Sequence, residues 1–325
     1  MAKAIFVTRH GGPEVLEMGP HDPGQPGPGQ ARVRVAAAGV NFIDTYFRTG
    51  AYPVPVPFID GVEGAGVVQA VGEGVDGLSP GDRVAWASAR GSYATELLAP
   101  ADVLVKIPET LDLEVAAAAM LQGMTAHYLT EGVRQTAQGD VALVHAAAGG
   151  TGQLLVQMLT RAGARVLATC STEAKAELAR KAGATDVILY EQSDFAEEAR
   201  RLTDGRGVDV VYDSVGKSTF DRSLKALRPR GLLCLYGQAS GPVEPFDLQR
   251  LNRGGSLFVT RPSLAHYTAS KRELRQRAAD VFGQIRSGTL QVRIDHRYEL
   301  ADASSAHRAL EGRKTTGKVL LTVAG

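Results

Sequence analysis

Two hydrophobic rhythms divide this chain. In the first third, apolar residues alternate or gather in short runs separated by Gly, Pro and Asp: ARVRVAAAGV (31–40), GAGVVQAVG (64–72), DRVAWA (82–87) and YATELLA (93–99). A period of two, interrupted by turn residues, predicts β-strands. HDPGQPGPGQ (21–30) is too rich in Pro and Gly to be anything but a surface loop. YPVPVPFIDG (52–61) is expected to run extended, because each residue before a proline is pushed out of the α region.

From residue 111 the rhythm changes. LDLEVAAAAMLQGMTAHYLTEGV reads as helix with a break near Gly123. Apolar runs and helical segments then alternate: DVALVHAAAGGTG before QLLVQMLTRAG, ARVLATCS before TEAKAELARKAG, TDVILY before DFAEEARRLTDG, GVDVVYDSVG before KSTFDRSLKALRPRG, and finally LLCLYG. Continuous Val, Leu and Ile between helices predict a parallel sheet covered on both faces. RRLTDG and LRPRG are expected to end helices on a left-handed glycine. A further helix is predicted near 269–287, where Leu274, Ala278, Val281, Phe282 and Ile285 form one stripe. The tail, TLQVRIDHRYEL, a short helix and GKVLLTVAG, returns to the texture of the first third. It is expected to fold back there, giving a first domain of 1–122 and 266–325 with a domain of 123–265 inserted.

Composition narrows the class. With 325 residues, 44% hydrophobic and 22% charged, the chain reads as soluble and globular, with about two domains. It has no long uninterrupted apolar run, and MAKAIFVTRHGGPEV lacks an apolar signal core, so no membrane association and a cytoplasmic location are expected. Lys plus Arg (36) nearly cancels Asp plus Glu (35), which gives no general pull toward nucleic acid or anionic lipid. KRELRQR (271–277) is expected to be a solvated helix face. Cys170 and Cys234 lie in apolar runs, as buried thiols would, and two cysteines cannot build a four-thiolate zinc site.

The chemistry is concentrated at HAAAGGTG (145–152), a glycine turn with strand before it and helix after. Written over the fingerprint G-x-G-x-x-G, residues 147–152 place Ala147 first and Gly149 and Gly152 second and third. The second glycine lets backbone approach a pyrophosphate, the third lets helix pack on strand, and the helix N-terminus attracts the anion. Ala147 is tolerable if its φ stays negative. His145, ending the strand, is expected to be a satisfied core histidine. At the end of the next strand, where an NAD site keeps a carboxylate for the ribose hydroxyl, stands CSTEAK (170–175). Ser171, Thr172 and Lys175 suit a 2′-phosphate instead. Glu173 is expected to face outward. The cofactor expected is NADPH.

Together with NFIDTYFRTGAYP (41–53), YDSVG (212–216), LYGQASG (235–241) and VTRPSL (259–264), these motifs strongly resemble the NADPH:quinone oxidoreductases, the zeta-crystallin-like branch of the medium-chain dehydrogenase/reductase superfamily. The resemblance spans the chain. It implies an α/β protein, a GroES-like β-rich catalytic domain with an inserted Rossmann doubly wound parallel-sheet domain, and usually a homodimer. It places Asn41 and Tyr46 near the nicotinamide and Tyr128 on the first Rossmann helix. Gly150 and Thr151 fall in the phosphate turn, with Ser171, Lys175 and Tyr190 around the adenosine phosphate. Ser214 follows the fourth strand, Tyr236 and Gly237 sit by the nicotinamide with Arg261 beyond, and Arg313 lies near the 2′-phosphate. The superfamily's zinc enzymes carry a Cys and a His where this chain has AGVNFIDTY and, in DGVEGAG, Val62. Glu63 alone cannot make a three-ligand catalytic site, so no zinc is expected.

The reaction this implies is zinc-independent transfer of hydride or electrons to a small-molecule quinone in a cleft roofed by residues 41–53. Asn41, Tyr46 and Tyr52 are the polar groups expected near the acceptor. A tyrosine would either donate to a developing oxyanion or simply pack the wall. Two alternatives remain at this level: reduction of enone or alkenal double bonds on the same fold, and a non-catalytic NADPH-binding role of the crystallin or RNA-binding kind.

Overall fold

In the computed structural model, which describes residues 1–323, the alternating segments of the first third become an antiparallel sheet system. β1 (Ala2–Val7) pairs with β2 (Leu16–His21). β3 (Gln30–Val40) runs directly into helix α1 (Phe42–Arg48). β4 (Phe58–Ile59) joins β1 from the far side, and β5 (Glu63–Val71), β6 (Arg83–Trp86), β7 (Glu96–Pro100) and β8 (Val105–Lys106) follow. Helix α2 (Leu113–His127) is continuous through Gly123. That glycine is a packing device rather than a break: a Cβ there would lie 2.8 Å from Val281 Cγ1. A π-helical turn, Tyr128–Val133, closes α2.

The chain then builds β9 (Val141–Val144), α3 (Gly150–Arg161), β10 (Arg165–Cys170), α4 (Glu173–Lys181), β11 (Asp186–Leu189), α5 (Phe195–Arg201), β12 (Val208–Asp213), α6 (Phe220–Ala226), β13 (Leu227–Leu235), α7 (Gln249–Arg253), β14 (Phe258–Thr260) and α8 (Leu264–Tyr267). The six strands form one parallel sheet in the order β11-β10-β9-β12-β13-β14. Strand order reverses beside β9, so the ends of β9, β10 and β12 flank a switch point where open α/β sheets bind ligands. RRLTDG ends α5, but the left-handed turn begins at Asp204, φ 52°, one residue before the expected glycine; Gly205 follows at φ 80° with its N–H on Arg200 O. LRPRG does not end a helix. α6 stops at Ala226 and LRPRGLLCL is all strand, because Pro229 cannot donate the N–H that a continuing helix needs.

The remaining segment gives α9 (Lys271–Arg286), β15 (Ile294–Glu299), α10 (Ala303–Glu311) and β16 (Lys318–Thr322). β16 pairs antiparallel with β3 and parallel with β15, completing the seven-stranded sheet β15-β16-β3-β5-β6-β8, with β7 also on β3. Two compact units result: Met1–Met124 with the chain from Thr268 onward, and Thr125–Tyr267.

Candidate active site

The glycine turn lies between β9 and α3. The left-handed residue is Ala146, at φ 50°, one position before the alanine that replaces the first fingerprint glycine. Gly149 caps the helix without a side chain, its N–H bonded to Ala146 O at 2.9 Å. The first N–H groups of α3 therefore face outward without a side-chain cap, as an anion requires. Gly152 is buried, and a Cβ on it would fall 2.4 Å from Ala146 O and 2.8 Å from Ala147 Cα. Gln153 Nε2 pins the turn through Ala148 O at 2.7 Å. Gly149, Gly150 and Thr151 stay partly exposed.

Beyond β10, Ser171 and Thr172 lead into α4, whose cap is Thr172 Oγ1, accepting from Lys175 N at 3.4 Å. Tyr190 follows β11, and its N–H donates to Cys170 O at 3.2 Å. Ser171 and Tyr190 thus sit at the ends of neighbouring parallel strands, with Lys175 one turn into α4. Glu173 is 62% exposed and shares Arg180 with Glu177, each at 2.5 Å. The residues present fit a 2′-phosphorylated nucleotide: an uncapped helix start, a glycine cradle and hydroxyl, ammonium and phenol groups at the ribose end.

Past the switch point, β12 ends at Asp213. Its buried carboxylate accepts from Val215 N (2.8 Å), Gly216 N (3.0 Å), Thr219 Oγ1 (2.7 Å to Oδ2) and Ser223 Oγ (3.0 Å). Ser223 also meets His145 Nε2 at 3.0 Å, while His145 Nδ1 meets Thr169 Oγ1 at 2.9 Å. His145 is satisfied on both nitrogens, and burial lowers its pKa. Asp213 O receives Tyr236 N (2.8 Å), and a Cβ on Gly237 would lie 2.5 Å from Ser214 O. Burial raises the Tyr236 hydroxyl's pKa. On the π-turn, Tyr128 stacks flat on Tyr267, 4.6 Å between centroids and 9° between planes. Burial raises the Tyr128 pKa, and the charge of Arg261 opposes that rise. Tyr267 was not singled out in the sequence, since its stacking partner lies far along the chain.

Asn41, Tyr46, Tyr52 and Arg313 belong to the other unit. The rings of Tyr46 and Tyr52 lie 5.2 Å apart, Phe42 and Phe47 flank them, and Tyr52 N donates to Tyr46 O at 2.9 Å. Arg313 is exposed, left-handed at φ 55°, just after α10. Asn41 precedes α1 and its backbone N–H donates to Asp44 Oδ2 at 2.8 Å. Its amide meets Glu63 Oε2 at 2.7 Å and Lys318 Nζ at 2.9 Å, and Lys318 Nζ reaches the same Glu63 oxygen at 2.5 Å. Lys318 was invisible as a site residue, because its neighbours in GKVLL spell an ordinary strand.

Below α1 lies a second buried network. Arg48 pairs with Glu311 (2.7 Å) and donates to His307 Nδ1 (2.9 Å). His307 Nε2 therefore carries the proton toward Tyr93 Oη (3.1 Å), which donates to Asp44 Oδ2 (2.9 Å). Burial and then Arg48 push His307 down to about 3. Burial pushes Asp60 up to about 7, and burial with the Asp60 charge raises Asp44 well above the usual carboxylate range. Asp44 Oδ1 and Asp60 Oδ2 have no hydrogen-bond partner. Among the described residues no three His, Cys, Asp or Glu side chains gather as a metal group, and Glu63 is committed to Lys318.

Two family profiles match the chain: an alcohol dehydrogenase GroES-like domain over residues 27–109 and a zinc-binding dehydrogenase over residues 150–281. A quinone oxidoreductase of Pseudomonas aeruginosa is 44% identical and a 2-haloacrylate reductase of Burkholderia sp is 43% identical, each covering 99% of both chains. The structure of Escherichia coli quinone oxidoreductase complexed with NADPH superposes with a TM-score of 0.97 at 41% identity, covering 98% of this chain and 99% of that one.

Proposed function

The chain belongs to the quinone oxidoreductases of the medium-chain dehydrogenase/reductase superfamily, and on that premise we propose that it is a zinc-independent NADPH:quinone reductase. The observation that supports the cofactor is the ribose end: Ser171 and Tyr190 follow neighbouring parallel strands, Lys175 lies one turn into α4, and Glu173 is paired with Arg180. NADPH supplies the reducing equivalents, as hydride from its nicotinamide.

Gly149, Gly150, Thr151 and Gly152 present the start of α3 to the pyrophosphate. Ser171, Lys175, Tyr190 and Arg313 bind the 2′-phosphate. Tyr128, Ser214, Tyr236, Gly237 and Arg261 shape the nicotinamide end. Asn41, Tyr46 and Tyr52 organise the acceptor side, where a phenol can donate to the oxygen that gains charge. A proton from the medium completes the hydroquinone.

The exposed Phe258 on β14, the edge strand of the parallel sheet, supports a homodimer formed through that edge. The compartment is the cytoplasm, in keeping with two buried free thiols. The Burkholderia relative supports a second reading, delivery of hydride to an activated alkene.

The test is NADPH oxidation followed with p-benzoquinone, with 2-haloacrylate and with an enone, with NADH in parallel and chelator throughout. Chelator-resistant quinone turnover that prefers NADPH is expected. A preference for the alkenes moves the function to the second reading, and tight NADPH binding without turnover on any acceptor rules out the enzyme.

A further inference from the structure

The Asn41 amide makes four hydrogen bonds inside its own unit. Oδ1 accepts from Lys318 Nζ (2.9 Å) and Gln122 Nε2 (3.3 Å); Nδ2 donates to Glu63 Oε2 (2.7 Å) and Gly39 O (3.3 Å). A primary amide has two donors and two strong acceptor sites, so none is left over for a ligand. Glu63 Oε1 is occupied as well, accepting from Leu121 N at 2.6 Å. Lys318 and Glu63 are 1% and 0% exposed.

A buried ion pair is a poor source of stability, since apolar side chains of similar volume often do as well or better. This one supplies orientation. Turning the amide over would set its NH₂ against the Lys318 ammonium and its oxygen against the Glu63 carboxylate, two repulsions without water to relieve them. The backbone is shaped to admit the pair: a Cβ on Gly39 would fall 2.2 Å from Glu63 Oε2 and 2.9 Å from Lys318 Nζ. Gly39 lies opposite Glu63 in β5 and Leu320 in β16, so three strands converge on this point. Asn41 then starts α1 through its N–H to Asp44, and α1 carries Tyr46, with Tyr52 held to Tyr46 O.

We propose that Lys318 is a positioning residue for the reaction: its ammonium, neutralised by Glu63, fixes the Asn41 amide and with it the helix start that sets Tyr46 and Tyr52. Asn41 acts through where it holds the chain. The inference rests on the acceptor side being the 41–52 segment, as the proposed function has it.

The chain contains two asparagines, Asn41 and the exposed Asn252, so asparagine-selective ¹⁵N labelling yields two side-chain amide signals. Hydrogen exchange at the Asn41 amide reads the lock without any turnover. Three proteins are compared with the native chain: Lys318→Met, the neutral double variant Glu63→Gln/Lys318→Met, and Lys318→Arg, which keeps the buried charge should the others fail to fold. In folded Lys318→Met and the folded double variant, exchange at Asn41 is expected to quicken and kcat with p-benzoquinone to fall by about tenfold or more, the scale of a misplaced reacting geometry. The KM for quinone should stay within about twofold, since the change falls on the reacting geometry rather than on uniform binding. Lys318→Arg, which keeps a cation able to donate to both Asn41 and Glu63, is the conservative variant expected to restore slower exchange. Native exchange rates in folded Lys318→Met or in the folded double variant overturn the proposal. So does quickened exchange with native kcat, which would make the pair merely structural. A native protein that turns over no quinone is a failure of the proposed function, visible before any variant is made.

Discussion

Beside the nucleotide turn, the buried carboxylate of Asp213 is surrounded by neutral donors: two backbone N–H groups and the hydroxyls of Thr219 and Ser223. Beside Asn41, the buried carboxylate of Glu63 faces an ammonium, and a few residues on, Arg48, Glu311, Asp44 and Asp60 crowd into one network. The contrast follows from what each region holds. A phosphate turn works with backbone N–H groups, whose directions the helix and the glycines already fix, so hydroxyls suffice to brace it. The Asn41–Tyr52 segment works with side chains at the end of a strand and on a seven-residue helix, and such groups need directional, charged partners to stay in one rotamer.

The contrast breaks most visibly at Lys318. Lys318→Met strands the Glu63 carboxylate and should cost about 3–5 kcal/mol in chemical denaturation. Should the variant lose no stability, the Asn41 region does not depend on buried charge. In the second unit the equivalent blow is steric. Gly152→Ala drives a Cβ into the backbone of Ala146 and Ala147, for about 1–3 kcal/mol of stability and weaker NADPH binding seen by calorimetry. Unchanged affinity would mean that the turn is not the pyrophosphate site. Smaller still is Lys175→Met, expected to cut the preference for NADPH over NADH about tenfold, or about 1.4 kcal/mol, with NADH affinity unmoved.

The subtlest effect is a slope rather than a loss. Asp60, raised from 3.8 to about 7, gives stability that is complete below pH 3.8 and is lost as pH rises through 7. His307, lowered from 6.5 to about 3, acts the other way: its contribution is present above 6.5 and lost as pH falls through 3. The two partly offset each other in the native protein. Asp60→Asn should therefore gain on the native protein as pH climbs from 4 to 7 in urea melts. A parallel pair of profiles would show that Asp60 ionises normally.

Much of this was legible in the chain. The alternation of apolar strands and amphipathic helices named the parallel sheet, because it is a local pattern. Gly123 misled, since a glycine that ends a helix and one that admits Val281 look alike until the partner helix is present. LRPRG misled for the reason that a single proline can end a helix one turn earlier than the following glycine would. Lys318, Gln122 and His307 were beyond reach. Their roles come from residues more than 80 positions away, and no period of two or 3.6 encodes such a meeting.

The link between Asn41 and Lys318 spans 277 residues, and the whole second unit is encoded between them. During synthesis at about 5–20 residues per second, Asn41 and Glu63 are made roughly 13–55 s before their cation exists. For that interval Glu63 has no ammonium to bury with, and β16, which carries that ammonium on the other side of β3, has not been made. The inserted unit, by contrast, has all six of its strands and can fold first. The lock on Asn41 can therefore close only after all of the second unit has been synthesised.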